Sequence, residues 1–409
     1  MTHNYLIRTQ DVKIAVIIAI IYFFVIKYLH LNLYEILLFC NDDFFDSDTA
    51  EIYTQISGFY LNTDTMKHFV PYFILFLFEK IRYILDPGAV ILTKVSIFQL
   101  IAATNVALIF LVSKAITNEN KKAYLSTLVF ASTFSQLTVG AFPETYGTSI
   151  LLLLSYLLFY LTSAATNKEK DIYIRIAGSS ILGLSHLPLF IIGLYSKFEY
   201  HSPSDIRKSL IVVIAGGLIG TSPMWSVSLM SASSFELIYT YTDRYASFAH
   251  FTDRELWLTV VSNLFIVATI SPSEIILNKY NVDDIPLYYW VIFFIIICMS
   301  VLRGVKASSA QVKLIITSSL ILLFQITFYV FFAPEFSALY GLTTITILLF
   351  FLTLLGRNIS LRKGVYFILL LVPLIIFSQN IYTILSTPNI PIDGSCYNWG
   401  VKNGLYRVF

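Results

Sequence analysis

Long apolar segments alternate with short polar ones along almost the whole chain of 409 residues. An apolar helix of about 20 residues spans the hydrocarbon core of a bilayer, and only helices or closed barrels satisfy their backbone hydrogen bonds there. The pattern therefore predicts a single all-α polytopic membrane domain over residues 1–409, with about 11 to 13 transmembrane helices. The predicted spans include Ile14–Leu31, Val90–Ser113, Ala123–Ala141, Gly147–Thr162, Leu210–Leu229, Tyr288–Val301, Leu314–Phe332, Ser337–Leu355 and Tyr366–Leu385.

The segment Asn41–Lys67 interrupts this pattern and is rich in acidic residues. Within it, apolar side chains recur at helical spacing at Ile52, Ile56, Phe59 and Tyr60, which predicts an amphipathic helix lying on the membrane surface. The following segment, His68–Leu85, has an apolar part too short for a span before its charged end. It is predicted to be a second interfacial or re-entrant helix.

Basic residues orient the predicted spans. Arg8 and Lys13 precede the first span and place the N-terminus in the cytoplasm. The first outer loop is then 41–88, the second larger outer loop is 231–255, and the C-terminal tail 386–409 is also outside. Basic loops should lie on the cytoplasmic side after every second span. This holds along the whole chain only if Ile176–Tyr195 forms a hairpin or Leu256–Ile270 does not cross fully.

Composition narrows the class of protein. The chain is 57% hydrophobic and only 13% charged, whereas soluble domains carry roughly 25% charged residues. The 27 basic and 25 acidic residues nearly balance, so net charge gives no indication of nucleic-acid binding. Three cysteines, Cys40, Cys298 and Cys396, form neither a disulfide framework nor a zinc motif. A Cys40–Cys396 bridge and two free thiols both remain open.

The acidic residues at the start of the first outer loop are candidates for chemistry. Sugar transfer to a hydroxyl requires a carboxylate that takes the hydroxyl proton, and a second carboxylate can orient the acceptor or bind a divalent ion. Asp46, Asp48 and Glu51 have this potential. Asp48 and Glu51 also fit a helix capping box, and Asp43 fits ordinary loop solvation.

Basic groups at predicted outer helix ends could neutralise a departing phosphate. They are His68, Lys94, His186 and Arg244. The alternatives are snorkelling to the headgroups for Lys94, a neutral packing role for His186, and a solvated loop for Arg244. Glu144, in the turn after Phe142-Pro143, is either a further carboxylate of the site or the N-terminal cap of the following span.

Several of these stretches resemble the GT-C superfamily of integral-membrane glycosyltransferases, over about the first 190 residues. The similar stretches are Asp48-Thr-Ala-Glu-Ile-Tyr53, His68-Phe-Val-Pro71-Tyr72, Lys94-Val-Ser96, Phe142-Pro143-Glu144 and Ser185-His186-Leu187-Pro188. The chain departs from the family pattern in two places. His68 is not directly followed by proline, and Asp46-Ser-Asp48 replaces the usual Asp-Glu pair.

The resemblance implies a role for each candidate. Asp48 or Asp46 would be the general base, with Glu51, Glu144 and Asp43 as acceptor-binding or second carboxylates. Lys94, His186, His68 and Arg244 would bind the donor phosphate. Only some family members require a metal ion; Mg²⁺ or Mn²⁺ would then be held by Asp46 and Asp48.

The resemblance also implies a reaction and a location. A sugar would move from a polyprenyl-phosphate donor to an envelope glycan or lipid-linked acceptor, with inversion, on the outer face of a bacterial inner membrane. Two alternatives are an O-antigen-type polymerase or ligase, which would depend on Arg244 and Arg254, and a lipid-linked-glycan transporter or flippase without covalent chemistry.

Overall fold

A computed structural model describes residues 7–32, 52, 56–58, 68–88, 93–163, 168–196, 203–230, 247–270, 309–332, 337–357 and 363–386. Every regular element in these ranges is a helix, as the sequence predicts. The predicted span Tyr288–Val301 and the three cysteines lie outside the described residues.

Twelve α-helices are numbered here in chain order. They are α1 Thr9–Leu31, α2 Phe69–Leu85, α3 Lys94–Thr117, α4 Asn120–Ser132, α5 Phe134–Ala141, α6 Tyr146–Thr162, α7 Lys168–Ser185, α8 Pro203–Met230, α9 Arg254–Val261, α10 Ser309–Phe331, α11 Ser337–Gly356 and α12 Lys363–Ser386. Two 3₁₀ helices, Leu187–Leu194 and Phe248–Thr252, and a π-helical turn, Ser262–Val267, complete the described elements.

Five of the described helices are long and apolar enough to cross a membrane, and a sixth is possible if α5 and α6 form one bent span. Large apolar side chains on α1, such as Ile17 and Phe24, are more than half exposed, as expected for a lipid-facing surface. The protein is therefore an integral membrane protein with several spanning helices. The total of 11 to 13 spans stays a prediction.

Helix α3 lies at the centre of the bundle and packs against α1, α4 and α6. Buried polar side chains tie the helices together through backbone carbonyls: Asn105 donates to Gly147 (2.9 Å), Gln136 donates to Ala102 (2.9 Å) and Tyr22 donates to Ala131 (3.2 Å). Because lipid offers these polar side chains no hydrogen-bond partner, such bonds help to fix how the helices pack.

The predicted span Ala123–Ala141 is not continuous, which corrects the sequence interpretation. The helix breaks at Ser132–Thr133, and α5 then bends by 118° into α6. Thr133 turns its hydroxyl back to the Phe130 carbonyl (2.8 Å), an alternative to the helical backbone pattern that serine and threonine favour. Asn380 donates to the Ser132 and Thr269 carbonyls, both at 2.8 Å, so backbone groups at the break have partners.

The chain reverses at His186, so Ile176–Tyr195 is a hairpin. Arg175 donates to the Gly193 carbonyl (2.7 Å) and Ser179 donates to that of Phe190, which aligns α7 with the returning 3₁₀ helix. Pro188 lies in the first turn of that 3₁₀ helix, where its missing N–H costs nothing.

The segment Leu256–Ile270 contains a helix that is shorter than the hydrocarbon core. Residues 254–267 form one α-helix with a π-helical end, which spans about 21 Å against a hydrocarbon core of about 30 Å. The chain enters this segment beside the last turn of α10, where Ser247 donates to the Phe331 carbonyl (3.1 Å), and leaves it beside the start of α5.

Candidate functional site

Five of the residues that the sequence singled out lie outside the described residues: Asp43, Asp46, Asp48, Glu51 and Arg244. The predicted general base, its neighbours and the metal ligands proposed with it therefore stay predictions. The described residues hold His68, Lys94, Glu144 and His186.

The predicted interfacial helix is described at Ile52 and at residues 56–58. Both isoleucines are buried against Tyr72 and Leu75 of α2 and against Phe98 of α3. These two predicted apolar positions therefore pack on neighbouring helices, whereas Phe59 and Tyr60 of the same predicted face lie outside the described residues. Helix α2 is also confirmed as a helix, over Phe69–Leu85.

His68 and His186 meet at one end of the bundle although they lie 118 positions apart in the chain. Their rings are stacked with centroids 6.1 Å apart, and Tyr146 packs edge-on against both, at 5.4 and 5.3 Å. Tyr329 and Tyr340 stack on each other at 4.7 Å and on His186 at 6.2 and 5.4 Å. We call these five side chains the histidine–tyrosine cluster.

Hydrogen bonds fix the orientation of both imidazoles. His186 is 4% exposed, and its Nε2 lies 2.6 Å from the Tyr329 hydroxyl. His68 is half-buried, and its Nδ1 lies 3.2 Å from the Ser185 carbonyl. A carbonyl only accepts, so Nδ1 of His68 carries a proton, and Nε2 is the atom of this ring that can gain or lose one.

Glu144 lies at the start of α6, directly before the helix that carries Tyr146. Its side chain is 8% exposed, and Oε1 accepts hydrogen bonds from the Thr145 N–H (2.8 Å) and the Thr145 hydroxyl (3.2 Å). A carboxylate directly before the helix N-terminus suits the positive end of the helix dipole. This geometry is compatible with the capping alternative and brings the carboxylate beside the histidine–tyrosine cluster.

Lys94 lies beside α2, at the same end of the bundle as the histidine–tyrosine cluster but outside that cluster. It donates to the Ser57 hydroxyl (2.7 Å), and Lys80 donates to the Ser57 carbonyl (3.3 Å). Beside them, Glu79 and Arg82 form a buried ion pair with two bonds of 2.7 and 2.8 Å. The hydrogen bond to Glu79 raises the pKa of Arg82, so this guanidinium stays charged.

Tyr146, Tyr329, Tyr340 and Lys80 belong to this end of the bundle but were missed in the sequence. The chain has 27 tyrosines, and nothing in their local sequence distinguishes these three. Lys80 was noticed only as a charge that shortens an apolar segment. The available signal was the group of charges Glu79, Lys80 and Arg82 on a predicted surface helix.

Within the described ranges, no group of three or more histidine, cysteine or acidic residues could hold a metal ion. Asp46 and Asp48, the residues proposed for that role, lie outside these ranges.

No protein family model, no curated protein and no solved structure matches this chain.

Proposed function

We propose that the protein is a membrane glycosyltransferase. It transfers a sugar from a polyprenyl-phosphate donor to an envelope glycan or lipid-linked acceptor, on the outer face of a bacterial inner membrane. One observation carries this proposal: His68, His186 and Glu144, singled out from separate stretches of sequence, gather at one end of an apolar helix bundle.

The proposed chemistry assigns different tasks to acidic and basic groups. Asp48, or Asp46, takes the proton of the acceptor hydroxyl as its oxygen attacks the anomeric carbon. The bond from that carbon to the phosphate oxygen breaks, and the lipid phosphate leaves with an added negative charge. Nearby cations stabilise this charge.

The two histidines have separate roles in the proposal. His68 is the half-buried ring, and its protonated form faces the leaving phosphate through Nε2. His186 is buried and bonded to Tyr329, so it positions His68 and Tyr146 rather than binding phosphate itself. Glu144 orients the acceptor at the head of α6.

The decisive experiment replaces the proposed base. Asp48→Asn and Asp46→Asn are compared with Asp64→Asn, an acidic residue of the same stretch with no assigned role. We expect one of the first two to lower sugar release from the donor by about 10²-fold or more, while Asp64→Asn stays active. Undiminished donor turnover and envelope glycan in both Asp48→Asn and Asp46→Asn would contradict the mechanism.

A transporter of lipid-linked glycans is the second candidate, because transporters commonly use discontinuous helices. The break at Ser132–Thr133 and the 118° bend between α5 and α6 are features of this kind. This alternative predicts movement of labelled lipid-linked glycan across proteoliposomes without sugar release, and unchanged movement in the two aspartate variants.

A further inference from the structure

The 3₁₀ helix that returns from the hairpin tip, Leu187–Leu194, is long for its kind, and we call it the return arm. It has eight residues, whereas 3₁₀ runs longer than three or four residues are uncommon because their hydrogen bonds have poorer geometry than those of an α-helix. The i→i+3 pattern is present from its start, where the Leu189 N–H donates to the His186 carbonyl (2.9 Å). Pro188 lies in the first turn, where an α-helix would also accept it. The local sequence therefore does not require the 3₁₀ form.

Two side-chain hydrogen bonds fasten the return arm to α10, one at each end. At the end that adjoins the histidine–tyrosine cluster, Nε2 of His186 lies 2.6 Å from the Tyr329 hydroxyl. At the far end, the Tyr195 hydroxyl lies 2.8 Å from the hydroxyl of Ser318. His186 and Tyr195 are both buried, and close packing prevents such side chains from swinging freely towards a displaced partner.

The spacing of these two bonds suits a 3₁₀ arm better than an α-helical arm. Along α10, eleven residue steps separate Ser318 from Tyr329, which corresponds to about 16.5 Å. The nine steps from His186 to Tyr195 cover about 18 Å at the 3₁₀ rise but only about 13.5 Å at the α-helical rise. An α-helical arm would fall about 3 Å short, so one of the two bonds would open.

The two ends of the return arm are not held equally. At the far end, Arg175 donates to the Gly193 carbonyl (2.7 Å). Beside it, Lys313 donates to the Ser196 carbonyl (2.9 Å). At the cluster end, His186 has an extended backbone (φ −160°, ψ 113°) and belongs to neither helix, so it can rotate while both helices stay formed. A shorter arm would therefore move the cluster end.

We propose that the return arm is a conformational switch, which converts from a 3₁₀ helix to an α-helix and withdraws His186 from the histidine–tyrosine cluster. The conversion shortens the eight-residue arm by about 4 Å, which is more than the bond between His186 and Tyr329 tolerates. The bond from Ser179 to the Phe190 carbonyl, midway along the arm, opens in the same change. The cluster then loses its central imidazole and opens.

This inference goes beyond the proposed function, because the switch operates in the same way in a transferase and in a transporter. Packed elements of this kind have discrete arrangements rather than a continuous range. The cluster is therefore either closed, with both bonds to α10 formed, or open, with only the far bond formed.

Distances between two spin labels test the switch in the full-length protein, in nanodiscs and without its three native cysteines. One nitroxide is placed at Leu187→Cys, at the cluster end of the arm. The other is placed at Lys208→Cys, an exposed position on α8. Lys208 precedes Ser209, whose hydroxyl binds Arg175 (2.7 Å), so the second label marks the far end. The distance is measured by double electron–electron resonance.

We expect Tyr329→Phe to shorten the main distance between the labels by about 4 Å, because it removes the bond at the cluster end. Tyr382→Phe, the same change at an exposed tyrosine, should leave the distance unchanged. Ser179→Ala is a milder variant that removes only the bond midway along the arm. It should raise the population at the shorter distance, whereas Ser180→Ala, at the neighbouring serine, should not.

Thermal unfolding provides an independent test. The bonds of Tyr329 and Ser318 lie about 16.5 Å apart along α10, and changes at such a separation are normally additive. If the arm links them, losing either bond lets it relax, so Tyr329→Phe and Ser318→Ala together should lower the melting temperature by more than the sum of the single changes. Strict additivity, or the same label distance in the unmutated arm, Tyr329→Phe and Ser179→Ala, would overturn the switch.

Discussion

At the scale of single residues, the interior of the bundle contains both well-paired and unpaired polar groups. His186 and Tyr329 share a short hydrogen bond, whereas both amide atoms of Gln325 lack a partner in the described part of the chain. Gln325 precedes Tyr329 by four residues on α10, so it lies on the same face one turn away. The buried side chains of His186 and Tyr329 in the histidine–tyrosine cluster are therefore hydrogen-bonded, whereas the amide of Gln325, one turn away, has no such bond in the described part of the chain.

Replacing Tyr329 by phenylalanine should destabilise the protein. The change removes the hydroxyl that bonds Nε2 of His186 and leaves a buried polar atom without this partner. We expect the free energy of unfolding to fall by about 1–3 kcal/mol, measured by thermal unfolding in detergent. Tyr382→Phe is the control, since Tyr382 is 73% exposed; an equal loss in both variants would show that the hydrogen bond contributes nothing.

Replacing Gln325 by methionine should stabilise the protein. Gln325 is fully buried and has no hydrogen-bond partner among the described residues, and an apolar side chain of similar shape avoids the desolvation cost of about 1–3 kcal/mol. The same change at Gln136, which donates to the Ala102 carbonyl, should lower stability. A stability loss at Gln325 as large as that at Gln136 would mean that the amide has partners after all.

At the scale of elements, the hairpin that carries His186 is held by close backbone packing. Gly183 on α7 faces Gly216 and Gly220 on α8, and α7 and α8 form the most extensive helix contact in the described ranges. At the opposite end of the hairpin, Arg175 bonds Gly193 and the Ser209 hydroxyl (2.7 Å). These contacts together determine where the tip with His186 lies.

A single methyl group at Gly220 should disturb this packing. A Cβ at Gly220 would lie 2.9 Å from the carbonyl carbon of Gly183, and because backbone cannot rotate away, α8 must shift. We expect Gly220→Ala to lower the free energy of unfolding by about 1–3 kcal/mol and to reduce activity. At Gly364, a Cβ would meet nothing within 4 Å, so Gly364→Ala should be neutral or slightly stabilising. Equal changes in melting temperature for Gly220→Ala and Gly364→Ala would contradict the packing argument.

At the scale of the whole molecule, the charged groups fall into two regions. One end carries the histidine–tyrosine cluster and the lysines at Ser57. The other carries Lys114, which lies 3.9 Å from Asp11, and Lys122, which bonds Glu119 (2.7 Å) and the Arg357 carbonyl (2.6 Å). In the proposed orientation this second end is the cytoplasmic side.

Labelling of single cysteines should test this orientation. In a variant without the three native cysteines, Phe248→Cys lies at the cluster end, since Phe248 is 78% exposed and packs on Phe331. Lys121→Cys is the counterpart at the basic end. We expect a membrane-impermeant maleimide to label only Phe248→Cys in intact cells, and both after permeabilisation. The opposite pattern would place the candidate site in the cytoplasm and contradict transfer on the outer face.

The sequence by itself determined that the chain is helical and membrane-embedded, and it located most of the described helices. Apolar segments of spanning length have few other solutions, because lipid provides no partner for backbone groups. It also marked Ile52 and Ile56 as apolar positions with helical spacing, since helical periodicity is a local property.

Only the tertiary structure decided the break at Ser132–Thr133, the reversal at His186 and the short course of residues 254–270. In each case the backbone leaves the pattern that its apolar composition predicts, because distant groups such as Asn380 and Arg175 supply its hydrogen bonds. The same holds for the site. Hydrophobic pattern and motif spacing could mark His68 and His186, but three tyrosines from remote helices complete their surroundings, and contacts of that kind are set by how the helices pack.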